Sequence, residues 1–206
     1  LATRQCFVLL ETACFGWRWT DFVHKKGIRT MLFHRFSQAL LEAFFNTHPI
    51  SEKGREYVHL GLKDLSRKTQ GRTRNATSRN PCPKMGTVLD AESDTAEARA
   101  ILNCVFDPDV IAYSVQPPKL NLDYTNPSGK RIRTSTPPDL MVLRRSSGLC
   151  IEEWKTADRR DRLSDDRPGR YVSDAGRISS PSAEASAREL SASYAVRFAD
   201  EIPKIR

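Results

Sequence analysis

The sequence predicts an α/β domain in which a mixed β-sheet is flanked by helices. Apolar residues recur at helical spacing in residues 30–45 and 90–106, and short apolar or alternating runs typical of strands follow between residues 110 and 198. Asn, Pro, Gly and Ser cluster between these runs, as expected of turns. A chain of 206 residues is long enough for one such domain with an extension.

Residues 1–50 are predicted to form a helical N-terminal extension. Its helix is expected over residues 30–45, and Thr47-His48-Pro49 is expected to end it, because the residue before a proline disfavours the helical conformation. The apolar residues at helical spacing are Met31, Leu32, Phe36, Ala39, Leu40, Ala43 and Phe44.

Residues 51–85 are predicted to form a basic arm that contacts DNA. Residues 53–84 contain nine basic and two acidic residues, a net charge of +7 in a chain whose net charge is +8. Residues 71–83 are polar and are expected to be a loop, and phosphate contacts need charge and flexibility more than a fixed fold. The alternative is a solvated basic face. The predicted DNA contacts are Arg67, Lys68, Arg72, Arg74, Arg79 and Lys84.

Residues 86–202 are predicted to form the α/β domain itself. A helix is expected over residues 90–106, capped by Asp90 or Ser93 and ended by Asp107-Pro108-Asp109. The charged segment after Lys155 is expected to be helical up to residue 166 and irregular beyond it. Strands are expected at residues 110–115, 120–124, 130–133, 140–143, 149–154 and 192–198, with turns at residues 126–129 and 144–148.

The stretch most informative about chemistry is Pro138-Asp139, followed by a predicted hairpin and Ile151-Glu152-Glu153-Trp154-Lys155. Side chains alternate between the two faces of a strand, so Glu153 and Lys155 are expected on one face and Glu152 and Trp154 on the other. The hairpin can bring Asp139 beside the end of the second strand. Asp139, Glu153 and Lys155 are therefore predicted to converge.

Two carboxylates beside an ammonium suit metal-assisted phosphodiester hydrolysis. The carboxylates of Asp139 and Glu153 can hold Mg²⁺ or Mn²⁺ through hard oxygen ligands, with Glu97 as a further ligand or a base and the Trp154 carbonyl as a possible additional ligand. Lys155 can offset the negative charge that develops in the transition state. Taken alone this spacing is also compatible with an ion pair on a solvated edge strand.

A longer series of motifs resembles one family. In order, these are Pro83-Lys84-Met85-Gly86, Glu92-Ser93 with Glu97, Phe106-Asp107-Pro108-Asp109-Val110, Gln116-Pro117-Pro118, Leu122-Asp123-Tyr124, Pro138-Asp139 and Glu152-Glu153-Trp154-Lys155-Thr156. Residues 65–175 resemble the TnsA-type endonucleases of Tn7-like transposons, and especially the TnsA-like domain that precedes some bacterial integrase-core transposases.

The resemblance implies a restriction-endonuclease-like fold of the PD-(D/E)xK class and Mg²⁺-dependent cleavage of DNA at transposon ends. It implies that Glu97, Asp139, Glu153 and Lys155 form the catalytic set, with the three acids as metal ligands, and that Gln116 is a possible site contact. It also implies a DDE-type transposase partner, in trans or as a C-terminal continuation, and a bacterial, cytoplasmic, nucleoid-associated protein.

Two alternatives to this nuclease remain open from the sequence. The chain could be a catalytically weak DNA-binding or assembly module of a transposase complex, since an additional proline stands before Asp139 in Thr136-Pro137-Pro138-Asp139. It could also be a stand-alone restriction-like nuclease. The retained Glu97, Asp139, Glu153 and Lys155 favour an active transposon-end endonuclease.

Composition excludes other classes. No apolar run reaches the length of about 18 residues that a membrane span needs, and a secretory signal is not expected. The five cysteines show no zinc-ligand spacing, so free thiols are expected.

Overall fold

The computed structural model describes residues 35–63, 78–91 and 96–202. Within them the α-helices are α1 (Gln38–Thr47), α2 (Glu52–Lys63), α3 (Glu97–Phe106), α4 (Leu163–Asp166) and α5 (Pro181–Glu189), with 3₁₀ turns at Ala157–Arg162 and Ala199–Glu201. The strands are β1 (Ser78–Cys82), β2 (Thr87–Ala91), β3 (Val110–Val115), β4 (Leu120–Thr125), β5 (Arg131–Thr136), β6 (Leu140–Arg144), β7 (Gly148–Lys155), β8 (Val172–Asp174), β9 (Arg177–Ser179) and β10 (Ser193–Phe198).

The central sheet is mixed, and its described strands lie in the order β10-β7-β6-β3. β3 pairs antiparallel with β6 and β6 antiparallel with β7, whereas β10 runs parallel to β7. β6 and β7 are buried along most of their length, which fits the apolar sequence of β6, whereas β7 buries two glutamates among its apolar residues. The predicted α/β class with a mixed sheet and packed helices is therefore confirmed.

Helices pack against this sheet through small residues. The Gly61 carbonyl of α2 accepts a hydrogen bond from Ser114 Oγ of β3 at 2.7 Å, and a Cβ at Gly61 would lie 2.8 Å from the Met141 methyl carbon. In α5, Ala183 and Ala187 are fully buried one helical turn apart. This close approach seats α2 on β3 and lets α5 contact both β4 and β10.

Three antiparallel hairpins surround the sheet: β1–β2, β4–β5 and β8–β9. The β1–β2 hairpin corrects two predictions, because Ser78–Cys82 is a strand where a loop was expected, and Thr87–Ala91 is a strand where the helix was expected to begin. The helix starts at Glu97, after Ala96, which provides no side-chain cap. The two segments are strands because they pair with each other, and neither has the alternating apolar pattern from which a strand is predicted.

The predicted basic arm is not one irregular segment. It contains α2 and β1, and residues 64–77 lie outside the described residues. The segment after residue 166, expected to be irregular, contains the β8–β9 hairpin and α5. The helix expected over residues 30–45 is described from Gln38 and ends at Thr47 as predicted. Of the helices the structure describes, none is both long and apolar enough to cross a membrane.

Candidate active site

The β6–β7 hairpin places Asp139 beside the end of β7. The Asp139 N–H donates to the Glu152 carbonyl at 3.1 Å, and the Asp139 carbonyl accepts from the Gln116 N–H at 2.9 Å. The Trp154 N–H donates to Asp139 Oδ2 at 2.5 Å. Asp139 is therefore fixed through its main chain and its side chain to the strands on either side of it.

The structure brings Asp139, Glu153 and Lys155 together. Lys155 Nζ lies 2.9 Å from Glu153 Oε1 and 3.8 Å from Asp139 Oδ2. The Lys155 side chain is 25% exposed and that of Asp139 21% exposed, while Glu153 is buried. An ammonium that bridges two carboxylates thus lies at a position that solvent can still reach.

This arrangement does not match a solvated ion pair on an edge strand. β7 is paired with β6 on one side and with β10 on the other, so it is an interior strand of the sheet. The Glu153 carboxylate is buried and also accepts hydrogen bonds from Tyr171 Oη at 2.7 Å and Tyr194 Oη at 2.6 Å. Arg170 Nη2 approaches the same carboxylate at 3.3 Å. A buried ion pair of this kind is costly to break.

Glu152 and Trp154 lie on the opposite face of β7. Glu152 Oε1 is 3.2 Å from Arg144 Nη2, and Glu152 Oε2 accepts from Trp154 Nε1 at 2.8 Å. Arg144 also binds Asp107 Oδ2 at 2.7 Å. The two neighbouring glutamates therefore belong to separate clusters, as strand alternation requires.

The electrostatic environments of Asp139 and Glu153 differ. Burial raises the pKa of Asp139, Lys155 and the Trp154 N–H lower it, and Glu97 and Glu153 raise it; the net result is a pKa of about 7. Burial also acts to raise the pKa of Glu153, but Lys155, Tyr194 and Tyr171 outweigh it and hold that pKa at about 2. Glu153 is thus a fixed negative charge, whereas Asp139 exchanges its proton near neutral pH.

Glu97 lies at the first residue of α3, where a negative charge is favoured by the helix dipole. It is close enough to raise the pKa of Asp139. Across the described residues, however, no three acidic, histidine or cysteine side chains form a group that could hold a metal ion, so the predicted set of Glu97, Asp139 and Glu153 is not assembled as one cluster.

Asp139 and Glu153 by themselves have the chemistry to hold a hard cation. Their oxygens are the ligand type that Mg²⁺ and Mn²⁺ prefer, and Mg²⁺ commonly binds through one or two carboxylates. The pKa of Asp139 is raised chiefly by burial and also by the charges of Glu97 and Glu153, and a divalent cation would favour the ionised carboxylate. The two carboxylates therefore fit the implied metal, and Glu97 is a further acid close enough to act on the pKa of Asp139.

The structure describes two of the six predicted DNA contacts, Arg79 and Lys84. Arg67, Lys68, Arg72 and Arg74 lie outside the described residues, and Arg79 is placed through its backbone in β1. The prediction that Lys84 contacts DNA is wrong. The residue is buried, at 4% exposure, and its Nζ donates to the Cys104 and Asp107 carbonyls at 2.8 and 2.7 Å. Because its ammonium caps the end of α3, Lys84 is not available to contact DNA.

Gln116 lies next to the site through its main chain. It follows β3 with a left-handed φ of +48° and donates its N–H to the Asp139 carbonyl.

Sequence reasoning missed Tyr171, Tyr194 and Arg170. Tyr194 could have been found, since it falls on a predicted strand; Tyr171 and Arg170 lie in the segment that was expected to be irregular.

The described cysteines Cys82, Cys104 and Cys150 are free thiols, as predicted, while Cys6 and Cys14 lie outside the described residues.

Comparisons with known proteins do not identify the chain: no protein-family model matches the sequence, and no curated protein matches it. What the site can do must therefore be argued from its geometry.

Proposed function

We propose that this chain is a divalent-cation-dependent DNA endonuclease with a restriction-endonuclease-like domain. The observation that carries the proposal is the convergence of Asp139, Glu153 and Lys155, with Lys155 Nζ 2.9 Å from one carboxylate and 3.8 Å from the other. Two acids from neighbouring strands and a lysine two residues after the second acid are the groups that metal-assisted phosphodiester hydrolysis uses.

Each side chain has a role that follows from its surroundings. Asp139 and Glu153 would hold the cation; when bound, Mg²⁺ or Mn²⁺ would supply Lewis-acid polarisation of the phosphodiester. Lys155, held between two carboxylates, offers a preorganised ammonium to the negative charge that develops on the phosphate. Asp139, with a pKa of about 7, can also take up or release a proton near neutral pH before the cation binds.

The proposed biological setting is DNA transposition. The order of motifs from residue 83 to residue 156 supports it, because that order resembles the transposon-end endonucleases. In this setting the chain cleaves one strand at a transposon end, and a DDE-type transposase cleaves the other. The basic residues Arg67, Lys68, Arg72, Arg74 and Arg79 would contact the DNA backbone sequence-independently.

The direct test is strand cleavage. The purified chain is incubated with supercoiled plasmid and with a labelled duplex that carries the end sequence of the element encoding it, with Mg²⁺, with Mn²⁺ and with EDTA, alone and together with the neighbouring transposase. Metal-dependent nicking that EDTA stops is expected. Cleavage of both substrates without the transposase and without a sequence preference would favour a stand-alone restriction-like nuclease.

A second function, a DNA-binding or assembly module with weak catalysis, is favoured by one specific observation. The Glu153 carboxylate already accepts from several donors, which leaves it fewer lone pairs for a metal ion. A chain that binds labelled duplex and transposase but never nicks DNA under any of these conditions would establish this module and refute the nuclease.

A further inference from the structure

The carboxylate of Glu153 is surrounded by hydrogen-bond donors to an unusual degree. Its Oε1 accepts from Tyr171 Oη at 2.7 Å, faces Lys155 Nζ at 2.9 Å and lies 3.3 Å from Arg170 Nη2. Its Oε2 accepts from Tyr194 Oη at 2.6 Å. The two phenols therefore hold one oxygen each.

These donors come from separate parts of the fold. Tyr194 lies on β10 opposite Ile151 of β7, so its side chain is on the same face of the sheet as Ile151 and Glu153. Tyr171 lies in the segment that precedes β8, and both phenols are buried. Arg170 extends the cluster, because its Nη2 also lies 3.3 Å from Thr136 Oγ1 at the end of β5.

The number of donors limits how this carboxylate can act. An ionised carboxylate has about four lone-pair positions, two on each oxygen. Three donors meet Oε1 and one meets Oε2, so Oε2 is the oxygen with capacity to spare. A carboxylate held at both oxygens by buried side chains also cannot rotate without breaking at least one of these bonds.

We infer that Tyr171 and Tyr194 are positioning residues that fix the Glu153 carboxylate in the orientation in which it receives a divalent cation. This inference rests on the proposed function, because it takes Glu153 as a cation ligand. Groups that hydrogen-bond to a metal-ligating carboxylate typically contribute about 10- to 100-fold to metal affinity or activity. The phenols act through Glu153 and do not touch the substrate.

The chain offers a matched control for removing a phenol hydroxyl. Tyr57 is buried like the other two, but its Oη donates to the Pro118 carbonyl at 2.9 Å and not to Glu153. Tyr57→Phe, Tyr171→Phe and Tyr194→Phe each keep the ring and remove one buried hydrogen bond. The three variants therefore separate a role at Glu153 from the general cost of losing a buried phenol hydrogen bond.

The experiment measures Mn²⁺ binding by calorimetry for the full chain and the three variants, with a melting curve for each. Tyr171→Phe and Tyr194→Phe should bind Mn²⁺ about 10- to 100-fold more weakly than the wild type, and Tyr57→Phe should bind it equally well. Plasmid nicking as a function of Mn²⁺ concentration should shift by the same factor in the two site variants.

Several outcomes would overturn the inference. They are unchanged or tighter Mn²⁺ binding in both site variants, no Mn²⁺ binding by the wild type, or unfolding of both site variants while Tyr57→Phe stays folded. Failure of the proposed function gives a different result. If the wild type binds Mn²⁺, the site variants bind it more weakly and none of the proteins nicks DNA, the nuclease is refuted and the positioning role stands.

Discussion

On one face of β7, Glu152 lies against the Arg144 guanidinium and the Trp154 indole; on the other face, Glu153 lies against Lys155 and shares that lysine with Asp139. Both glutamates are buried, at 2% and 6% exposure, and both are paired with a cation. Burial and ion pairing therefore do not distinguish a functional acid from a structural one in this strand.

What differs is how exposed the cation between each pair of acids is. Glu152 is held by Arg144, which also binds Asp107 at the end of α3. The Arg144 side chain is 14% exposed and that of Lys155 25%, so we call the Glu152 side of β7 the closed face and the Glu153 side the open face. Beside Glu153, the pKa of Asp139 is raised to about 7, and Lys155 remains partly exposed. A carboxyl whose pKa is raised chiefly by burial, next to a partly exposed ammonium, is the property that marks a candidate site.

The comparison is tested most strongly by neutralising one acid on each face. Asp139→Asn should reduce metal-dependent nicking to the background level, because it removes a hard anionic ligand. Glu152→Gln, which keeps the shape and lies on the closed face, should retain activity per folded molecule. The measurement is single-turnover plasmid nicking at saturating Mn²⁺. Loss of nicking in Glu152→Gln with full activity in Asp139→Asn would reverse the assignment of the two faces.

On the open face, substitution of Lys155 distinguishes a catalytic role of this lysine from a structural one. Lys155→Ala should fold and bind DNA, yet cleave about 100- to 1000-fold more slowly, since it loses one preorganised donor for transition-state charge. Lys155→Arg should rescue poorly, because a planar guanidinium does not replace a compact ammonium. Nicking rates beside melting curves check this. A wild-type rate in Lys155→Ala would remove this lysine from the mechanism.

On the closed face the expected effect concerns stability. Arg144→Ala leaves Glu152 and Asp107 without their cation, and breaking a buried pair in this way typically costs about 3–5 kcal/mol of unfolding free energy. Urea denaturation of the wild type and the variant measures the difference. A loss below about 1 kcal/mol would mean that the network contributes no more than an exposed ion pair.

The pH dependence of stability should also differ between the two acids of the open face. In metal-free protein, folded Asp139 keeps its proton up to about pH 7, whereas the unfolded chain releases it near 3.8. The native state thus binds more protons between these values, and Asp139 should lower stability as pH rises through this range, by at most about 4 kcal/mol. Glu153 acts oppositely, raising stability between about pH 2 and 4.5.

Denaturant midpoints of wild type and Asp139→Asn from pH 3 to 8, with EDTA present, test this expectation. The variant should lack the decline between about pH 4 and 7 while keeping the rise below it. Parallel curves for the two proteins across that range would show that Asp139 ionises at its ordinary pH in the folded chain.

The sequence predicted the sheet better than it predicted its surroundings. The strands that became β3, β4, β6, β7 and β10 were predictable because their apolar content is continuous or alternating. The β1–β2 hairpin was not, since Pro81 and Asp90 are unfavourable in strands and the hairpin forms through pairing that the local sequence does not show. Helix α5 was missed although its alanines and the proline at its first turn favour a helix.

For the site, strand alternation was sufficient to separate Glu153 from Glu152, and the hairpin was sufficient to bring Asp139 near Lys155. No spacing rule could supply Tyr171 or Arg170, which reach Glu153 from a distant segment of the chain. The burial of Lys84 was equally hidden, because a lysine that caps a helix has the same local sequence as one that faces solvent.

The parallel pairing of β10 with β7 has a consequence for the order in which this protein matures. A ribosome delivers the β6–β7 hairpin, with Glu153 and Lys155 on it, well before β10. Until β10 docks, Tyr194 does not bind the Glu153 carboxylate. The edge of β7 that will pair with β10 also exposes its unpaired backbone N–H and C=O groups to water. A nascent chain that has emerged only to residue 190 therefore carries the charged groups of the candidate site without β10 and Tyr194 beside them. Non-local parallel pairing such as that of β10 with β7 forms slowly.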